Sequence, residues 1–264
     1  ANMVFIAAGM GGGTGTGAAP IVAQVAKDLG ALTIAIVTRP FSFEGEKRRK
    51  NAIEGINKLK ENVDAIIIVS NDKLMMMNGT RPISEAFAES DRVLAQSVKT
   101  ITDLIVVPGV INLDFADVRS TLKDKGLALI GFGTGTGPKK ANDAASSALL
   151  SPLLEASIHG AHSIIANVTC GNNVSLDEVK EAIDYVTSAA GNNPNIIFGV
   201  QANPELNDQM LISIVATEFD NDFDPFSENA TPVVTPVSPI KEEQIEEDEG
   251  EEESILPSFL NGND

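Results

Sequence analysis

The chain has 264 residues, 43% of them apolar, and a mean hydropathy of +0.05, the composition of a globular protein with material for one large core or two modest ones. It contains no run of eighteen apolar residues, which excludes a bilayer-spanning helix, and its single Cys170 excludes an internal disulfide framework or a cysteine-rich metal site. The net charge of −18 is unevenly spread: fifteen acids and one lysine from Glu218 onward give −14, so the preceding 217 residues carry −4 and present no basic stripe for nucleic acid.

Strand-like and helix-like patterns alternate over the first two-thirds of the chain, which predicts an α/β fold with a mostly parallel sheet. Residues 3–8 form an apolar strand that has no basic segment before it and runs into glycines, so they read as a buried strand rather than a signal peptide. A chain that opens inside a strand, without Met, reads as a fragment. A helix is expected over 18–29, with Pro20 in its first turn and Gly30 as its cap, then a buried strand over 31–37. A charged helix over 46–61 and an isoleucine-rich strand over 65–70 follow, then a loop in which Met75, Met76 and Met77 pack as apolar loop residues. Apolar residues from Ala86 to Leu104 are spaced for one face of a long helix, 84–104, a spine between two domains.

A second α/β unit has strands over 127–132 and 163–169 and a helix over 139–150. Ser175 and Glu178 form a capping box that opens a helix to about Ala190. Strands over 195–201 and 211–217, joined by a short connection, suggest an antiparallel hairpin. Order is expected to end near residue 217. The acidic, proline-containing stretch 218–253 reads as a disordered linker, and the apolar patch at 254–264 as a peptide that orders on a partner.

The strongest chemical signal is Gly9-Met10-Gly11-Gly12-Gly13-Thr14-Gly15-Thr16-Gly17 between a strand and a helix. Glycines let successive amides turn inward, and a helix N-terminus adds positive potential, so the run suits a phosphate cradle with Thr14 and Thr16 hydroxyls as extra donors. No lysine follows it, which excludes a Walker A loop. A dinucleotide fingerprint fits poorly, because the next strand ends Val37-Thr38-Arg39 without the ribose-binding acid. Gly133-Thr134-Gly135-Thr136-Gly137 repeats the motif with fewer glycines and a following Pro138, and is a weaker candidate for a second anion site. In Asn112-Leu113-Asp114-Phe115-Ala116-Asp117 the two carboxylates could hold a water and a cation beside a phosphate. Equally, Asp117 could be the N-cap of a helix over 118–125, with Asp114 solvated. His159 and His162 have no carboxylate or cysteine near them in sequence to complete a metal site, and Cys170 reads as a buried structural thiol.

Four segments together resemble the FtsZ family of tubulin-like GTPases in order and spacing: GMGGGTGTGAAP at 9–20, TRPFSFEG at 38–45, NDKL at 71–74 and PGVINLDFADV at 108–118. The resemblance runs to about residue 217, and the acidic tail with its terminal peptide is similar as well. It implies a Rossmann-like GTPase domain, incomplete at its N-terminus, over 1–83; a central helix and synergy loop over 84–117; and a smaller C-terminal α/β domain over 118–217.

It further implies that Gly13, Thr14 and Gly15 contact GTP phosphates, with Met10, Gly11 and Gly12 in the same GTP-binding loop, Glu44 on the ribose and Arg48 and Asn71 nearby. Phe87 would stack on guanine, and Asp91 would accept from its N1–H and exocyclic amine. Asn112, Asp114 and Asp117 would act on the GTP of the next subunit, with Mg2+ and a monovalent cation as cofactors. Hydrolysis would then be tied to head-to-tail polymerisation into a division ring at mid-cell in the cytoplasm. Ile255, Leu256, Pro257, Phe259 and Leu260 would dock tethers and regulators such as FtsA or ZipA, without the arginines that commonly follow. A fragment lacking the family's opening strand and loop is expected to bind GTP poorly and to aggregate. The alternatives are a non-catalytic scaffold or filament cap, or a tubulin-like polymer with another role.

Overall fold

A computed structural model describes residues 1–78, 82–154, 156–171, 173–191 and 193–219. The acidic linker and terminal peptide expected beyond them, including Ile255, Leu256, Pro257, Phe259 and Leu260, lie outside the described residues. Strands β1 (Met3–Gly9), β2 (Leu32–Arg39) and β3 (Ala65–Ser70) run side by side in parallel. Helices α1 (Thr14–Asp28) and α2 (Glu46–Lys60) cross over on one face. There Ala19, Ala23, Ala52, Ile56 and Leu59 meet Ile6, Ala35, Val37, Ile66 and Ile68. The opposite face, with Ile34, Ile36, Ile67 and Val69, packs on Val93, Ile101 and Leu104 of α4 (Ile83–Val106). Layers on both faces explain why β2 and β3 read as unbroken apolar runs rather than alternating ones.

After β3 come α3 (Asn71–Asn78), α4 and α5 (Phe115–Leu122), then β4 (Gly126–Thr136), α6 (Lys140–Leu149), β5 (Ala161–Cys170), α7 (Leu176–Ala190), β6 (Asn195–Ala202) and β7 (Gln209–Phe219). The seven strands of the described residues join one sheet in the order β1-β2-β3-β4-β7-β5-β6. The first half meets the second through three rungs of β3 and β4: Ala65 with Gly126, Ile66 with Leu127 and Ile67 with Ala128.

Four expectations change. The first helix opens at Thr14, inside the glycine run, because Gly17 N–H already donates to Gly13 O at 3.0 Å; Pro20 is thus interior to α1 rather than in its first turn. Residues 71–78 form the short helix α3, not a loop, with Leu74 buried and Met75 exposed. Strands β6 and β7 are not a hairpin. Strand β7 instead inserts antiparallel between β4 and β5, where Ile212, Ile214 and Ala216 pack on one face and Val215 on the other. Finally, Asp114 rather than Asp117 is the N-cap of α5.

The second glycine–threonine repeat has a packing cause. Gly131, Gly133 and Gly135 point at α6, whose own contacting face is Ala141, Ala144, Ala145 and Ala148. A Cβ on Gly133 would lie 2.0 Å from Ala144 O and 2.3 Å from Ala148 N, and one on Gly135 would lie 2.0 Å from Lys140 O. Helix and strand touch backbone to backbone, and no anion fits between them.

A polar latch closes the end of the sheet opposite the strands' carboxyl termini. Asp64, 3% exposed, accepts from Thr33 N–H at 2.7 Å, and Lys27 lies between Asp64 and Asp124 at 4.0 and 3.3 Å. Asp64→Ala would leave the Thr33 amide unpaired in the interior, so we expect a loss of about 2 kcal/mol, read as a lower urea midpoint at unchanged slope.

A second ionic cluster joins α6 to its neighbours. Lys140, 6% exposed, pairs with Asp208 at 2.6 Å and Glu178 at 2.8 Å. Those carboxylates push the ammonium up, Asp208 more than Glu178. In turn the Lys140 ammonium, then the Ser175 amide, hold Glu178 below its ordinary 4.5. A depressed carboxyl contributes stability that is full above its unfolded pKa and is lost as pH falls through the folded one. A raised lysine does the reverse, losing its contribution only in alkali above 10.5. Acid titration of Glu178→Gln should therefore show a smaller fall in thermal midpoint than wild type between about pH 5 and pH 3.

Candidate functional site

The loops that follow β1, β2 and β3 at their carboxyl ends meet in one crevice, the position where open parallel sheets bind ligands. Its floor is the glycine arc. Met10 N–H donates to Thr38 O at 3.0 Å, and Gly11 N–H donates to Thr16 Oγ1 at 2.8 Å, which curls the loop over the first turn of α1. Gly11 adopts φ +99°, and a Cβ there would lie 2.7 Å from Arg48 O, so glycine is required for α2 to approach. Nothing lies within 4 Å of the Cβ position of Gly13, and only an Arg48 Nη atom, at 4.0 Å, reaches that of Gly12. These glycines are open to a ligand, in contrast to the blocked glycines of β4. Thr14 is exposed at the first turn of α1, Gly15 packs close to Gly9, and the Met10 side chain is buried in the core.

The next wall comes from the segment after β2. Glu44 Oε1 accepts from Phe41 N–H at 2.9 Å, while its Oε2 pairs with Arg48 Nε at 3.1 Å. Glu44 is thereby fixed in a short turn just before α2, and Arg48 lies along the glycine arc. Glycines 11–13, Glu44, Lys47, Arg48 and Asn51 line a cleft of about 450 Å3. Lys47 and Asn51 escaped the sequence reading, although the positions 44, 47, 48 and 51 repeat with helical spacing.

Aromatic rings join the segment after β2 to α4. Buried Phe41 stacks on exposed Phe43, centroids 4.9 Å apart, and meets Phe87 of α4 edge-on at 5.0 Å. Phe87 keeps 42% of its surface exposed, and exposed Asp91 follows one turn later. Between them Ser90 donates to Asn71 Oδ1 at 2.9 Å with both residues buried, which pins the first turns of α4 to the end of β3. Asn71 is thus a buried anchor between β3 and α4.

Asn112, Asp114 and Asp117 stand elsewhere. Nineteen residues of α4 separate Phe87 from Val106, roughly 30 Å of helix, and the three residues follow its far end. Here residues 109–111 lie along the edge of β6: Val110 and Ile111 N–H donate to Val200 O at 2.7 and 3.2 Å, and Val200 N–H returns to Ile111 O at 3.0 Å. Asn112 closes the turn, accepting from Gly109 N–H at 2.6 Å and donating to Gly109 O at 3.2 Å. Asp114 Oδ1 accepts from Asp117 N–H at 2.9 Å and Asp117 Oδ2 from Asp114 N–H at 3.3 Å, a reciprocal capping box on α5. The carboxylates remain at the surface, aimed by the helix they cap.

Comparison with known proteins adds two family matches. A model described as the tubulin/FtsZ family GTPase domain matches residues 1–79, and one described as the FtsZ family C-terminal domain matches residues 126–220. Among solved structures, an FtsZ dimer of M. jannaschii without ligand is 41% identical over 82% of this chain and 63% of its own, with a TM-score of 0.78. A point mutant of the M. jannaschii FtsZ gives 41% identity over 83% and 66%, with a TM-score of 0.79. A GDP-bound monomeric CetZ protein of Haloferax volcanii shares the fold at 18% identity and a TM-score of 0.68. The chain therefore spans slightly less than two-thirds of the length of the FtsZ structures it matches.

Proposed function

The chain belongs to the tubulin/FtsZ family, and from that premise we propose that it is a GTP-binding, GTP-hydrolysing protein whose copies assemble head to tail. The phosphates of GTP would enter the glycine arc, where open amides and the positive end of α1 meet their charge. Glu44, held by Phe41 and Arg48, would accept from ribose hydroxyls. Phe87 would stack on the base, and Asp91 would accept from guanine N1–H and the exocyclic amine, a donor pair that adenine lacks.

The carrying observation is a separation. Within one chain, the acids that could orient an attacking water lie at the opposite end of the 24-residue α4 from the cleft that would hold the nucleotide. Stacking copies with the α5 end of one over the cleft of the next brings Asn112, Asp114 and Asp117 to the γ-phosphate. A head-to-tail contact of this kind does not close and so makes a filament. The acids would then accept hydrogen bonds from the water and hold it in line with the phosphorus, a positioning role. Among the described residues no group of three or more Asp, Glu, His or Cys side chains could hold a metal. Asp114 and Asp117, with the phosphate oxygens, would hold Mg2+ or a monovalent cation at the junction, and the ion would supply charge neutralisation.

By the same reading, the apolar peptide Ile255–Leu260 would engage membrane tethers such as FtsA or ZipA, so that filaments form the cytoplasmic division ring at mid-cell. The test is complementation in trans. Gly12→Asp places a repelling charge in the phosphate cradle but leaves the acids; Asp114→Ala with Asp117→Ala does the opposite. Each alone should be inactive, and an equal mixture should recover up to about a quarter of wild-type GTP turnover, the share of junctions with a competent cleft and an acid-bearing neighbour. A mixture as inactive as its parts would overturn the split site.

A further inference from the structure

From residue 84 onward, Val93 is the first residue of α4 to enter an apolar core cluster. Among residues 84–92, which carry Phe87 and Asp91, Ser90 is the one buried side chain, at 4% exposure. Its hydroxyl has a local alternative in the carbonyl one turn back. Farther along the helix Ser97 donates to Val93 O at 2.7 Å and Thr102 to Val98 O at 2.8 Å, each closing on its own preceding turn. Ser90 instead donates off the helix, to Asn71 Oδ1 at 2.9 Å, where β3 ends and α3 begins. Three residues earlier Phe87 meets Phe41 edge-on at 5.0 Å, which ties the same turns to the segment after β2. We propose that Ser90 is the positioning residue for base recognition: through Asn71 it fixes the roll of α4 that aims Asp91 at guanine.

This role rests on the GTP reading above, in which Phe87 would stack on the base and Asp91 would accept from N1–H and the exocyclic amine. Stacking tolerates small displacements, but a carboxylate that must meet two donors does not. Side chains stand about 5–6 Å from a helix axis, so a roll of about 20° displaces the carboxylate by about 2 Å, enough to lose one of its donors. In turns that precede the apolar core, the Ser90–Asn71 bond and the Phe87–Phe41 contact oppose that roll. Removing the hydroxyl deprives buried Asn71 Oδ1 of this donor, and the amide gains by turning toward another. Base specificity would then depend on a side chain that touches no part of the nucleotide.

The whole chain and its variants are titrated with GDP and with inosine diphosphate, which keeps N1–H and lacks the exocyclic amine. Wild type should bind GDP at least about tenfold more tightly, the scale of one hydrogen bond to a charged acceptor. Ser90→Ala should lower that ratio to about threefold or less, by weakening GDP while inosine diphosphate stays near its wild-type affinity. Ser90→Cys, of like shape but with a weaker donor, should give an intermediate ratio. Ser97→Ala, the same substitution at a buried hydroxyl bonded within the helix, should leave the ratio unchanged. Asn71→Ala should lower the ratio as well, and adding Ser90→Ala to it should lower it no further, because the bond is already broken. An unchanged ratio in Ser90→Ala, equal weakening of both nucleotides, the same fall in Ser97→Ala, or additive losses in the double variant would overturn the assignment. Wild type binding neither nucleotide would instead remove the GTP reading itself, and wild type binding both alike would remove Asp91 from base recognition. Ser90's role falls with either.

Discussion

Gly133→Ala abolishes folding or lowers stability by on the order of 3–5 kcal/mol, whereas Gly13→Ala costs less than about 1 kcal/mol. The difference follows from what a methyl group would meet. At Gly133 it would be driven into the backbone of α6, 2.0 Å from Ala144 O, and the only relief is to prise α6 from β4. That separation would open the contact of Leu129, Ala141, Ala145 and Ala148, part of the largest apolar cluster in the second half of the sheet. Side-chain repacking cannot absorb a backbone clash. At Gly13 the methyl meets nothing within 4 Å. Urea unfolding of the two variants beside wild type is the measurement. The same pair separates the two similar motifs by purpose, because Gly13→Ala should disturb nucleotide binding while remaining folded.

The largest functional effect is expected at the two acids of α5. Asp114→Ala with Asp117→Ala should reduce turnover in assembled protein by more than about a hundredfold, the scale lost when water positioning and local charge go together. It should also cost about 1–2 kcal/mol of stability, because each carboxylate caps the other's amide. A second variant separates the two losses. Asp114→Ser with Asp117→Gln preserves a capping box of the Ser-x-x-Gln kind without either charge. Its thermal midpoint should lie near wild type while turnover stays as low as in the alanine pair. Recovered turnover in the Ser/Gln variant would mean that the acids matter only as helix caps.

Much of the fold was legible because strands buried on both faces and an amphipathic spine leave strong local patterns. The helix over 84–104 was found within a few residues of its observed ends, Ile83 and Val106, since its apolar positions repeat with helical spacing. What escaped depends on partners far away in sequence. Strand β7 reads the same whether its neighbour is β6 or β4; it pairs with β4 and β5, and its Ile212, Ile214 and Ala216 share one apolar cluster with α6 and α7. The start of α1 was misplaced because glycine and threonine are poor helix formers, yet Thr16 Oγ1 and Gly13 O each accept a hydrogen bond that organises the first turn. In the site, glycine runs were visible, but the difference between an open arc and a blocked one lies in what α2 and α6 place beside them. Sequence does not single out Lys47, because one lysine in Glu46-Lys47-Arg48-Arg49-Lys50 looks like its neighbours until the helix turns it toward the cleft.

The mutual capping of Asp114 and Asp117 has a further consequence for any assembly that uses them. A carboxylate already bound to a helix end has little freedom to swing toward a poorly aligned substrate. Alignment must then come from the junction itself, and a bent or staggered joint would keep its nucleotide unspent. Fuel consumption would thus be a ruler for straightness: well-seated joints would fire first, and misfitted ones would linger with their cargo intact.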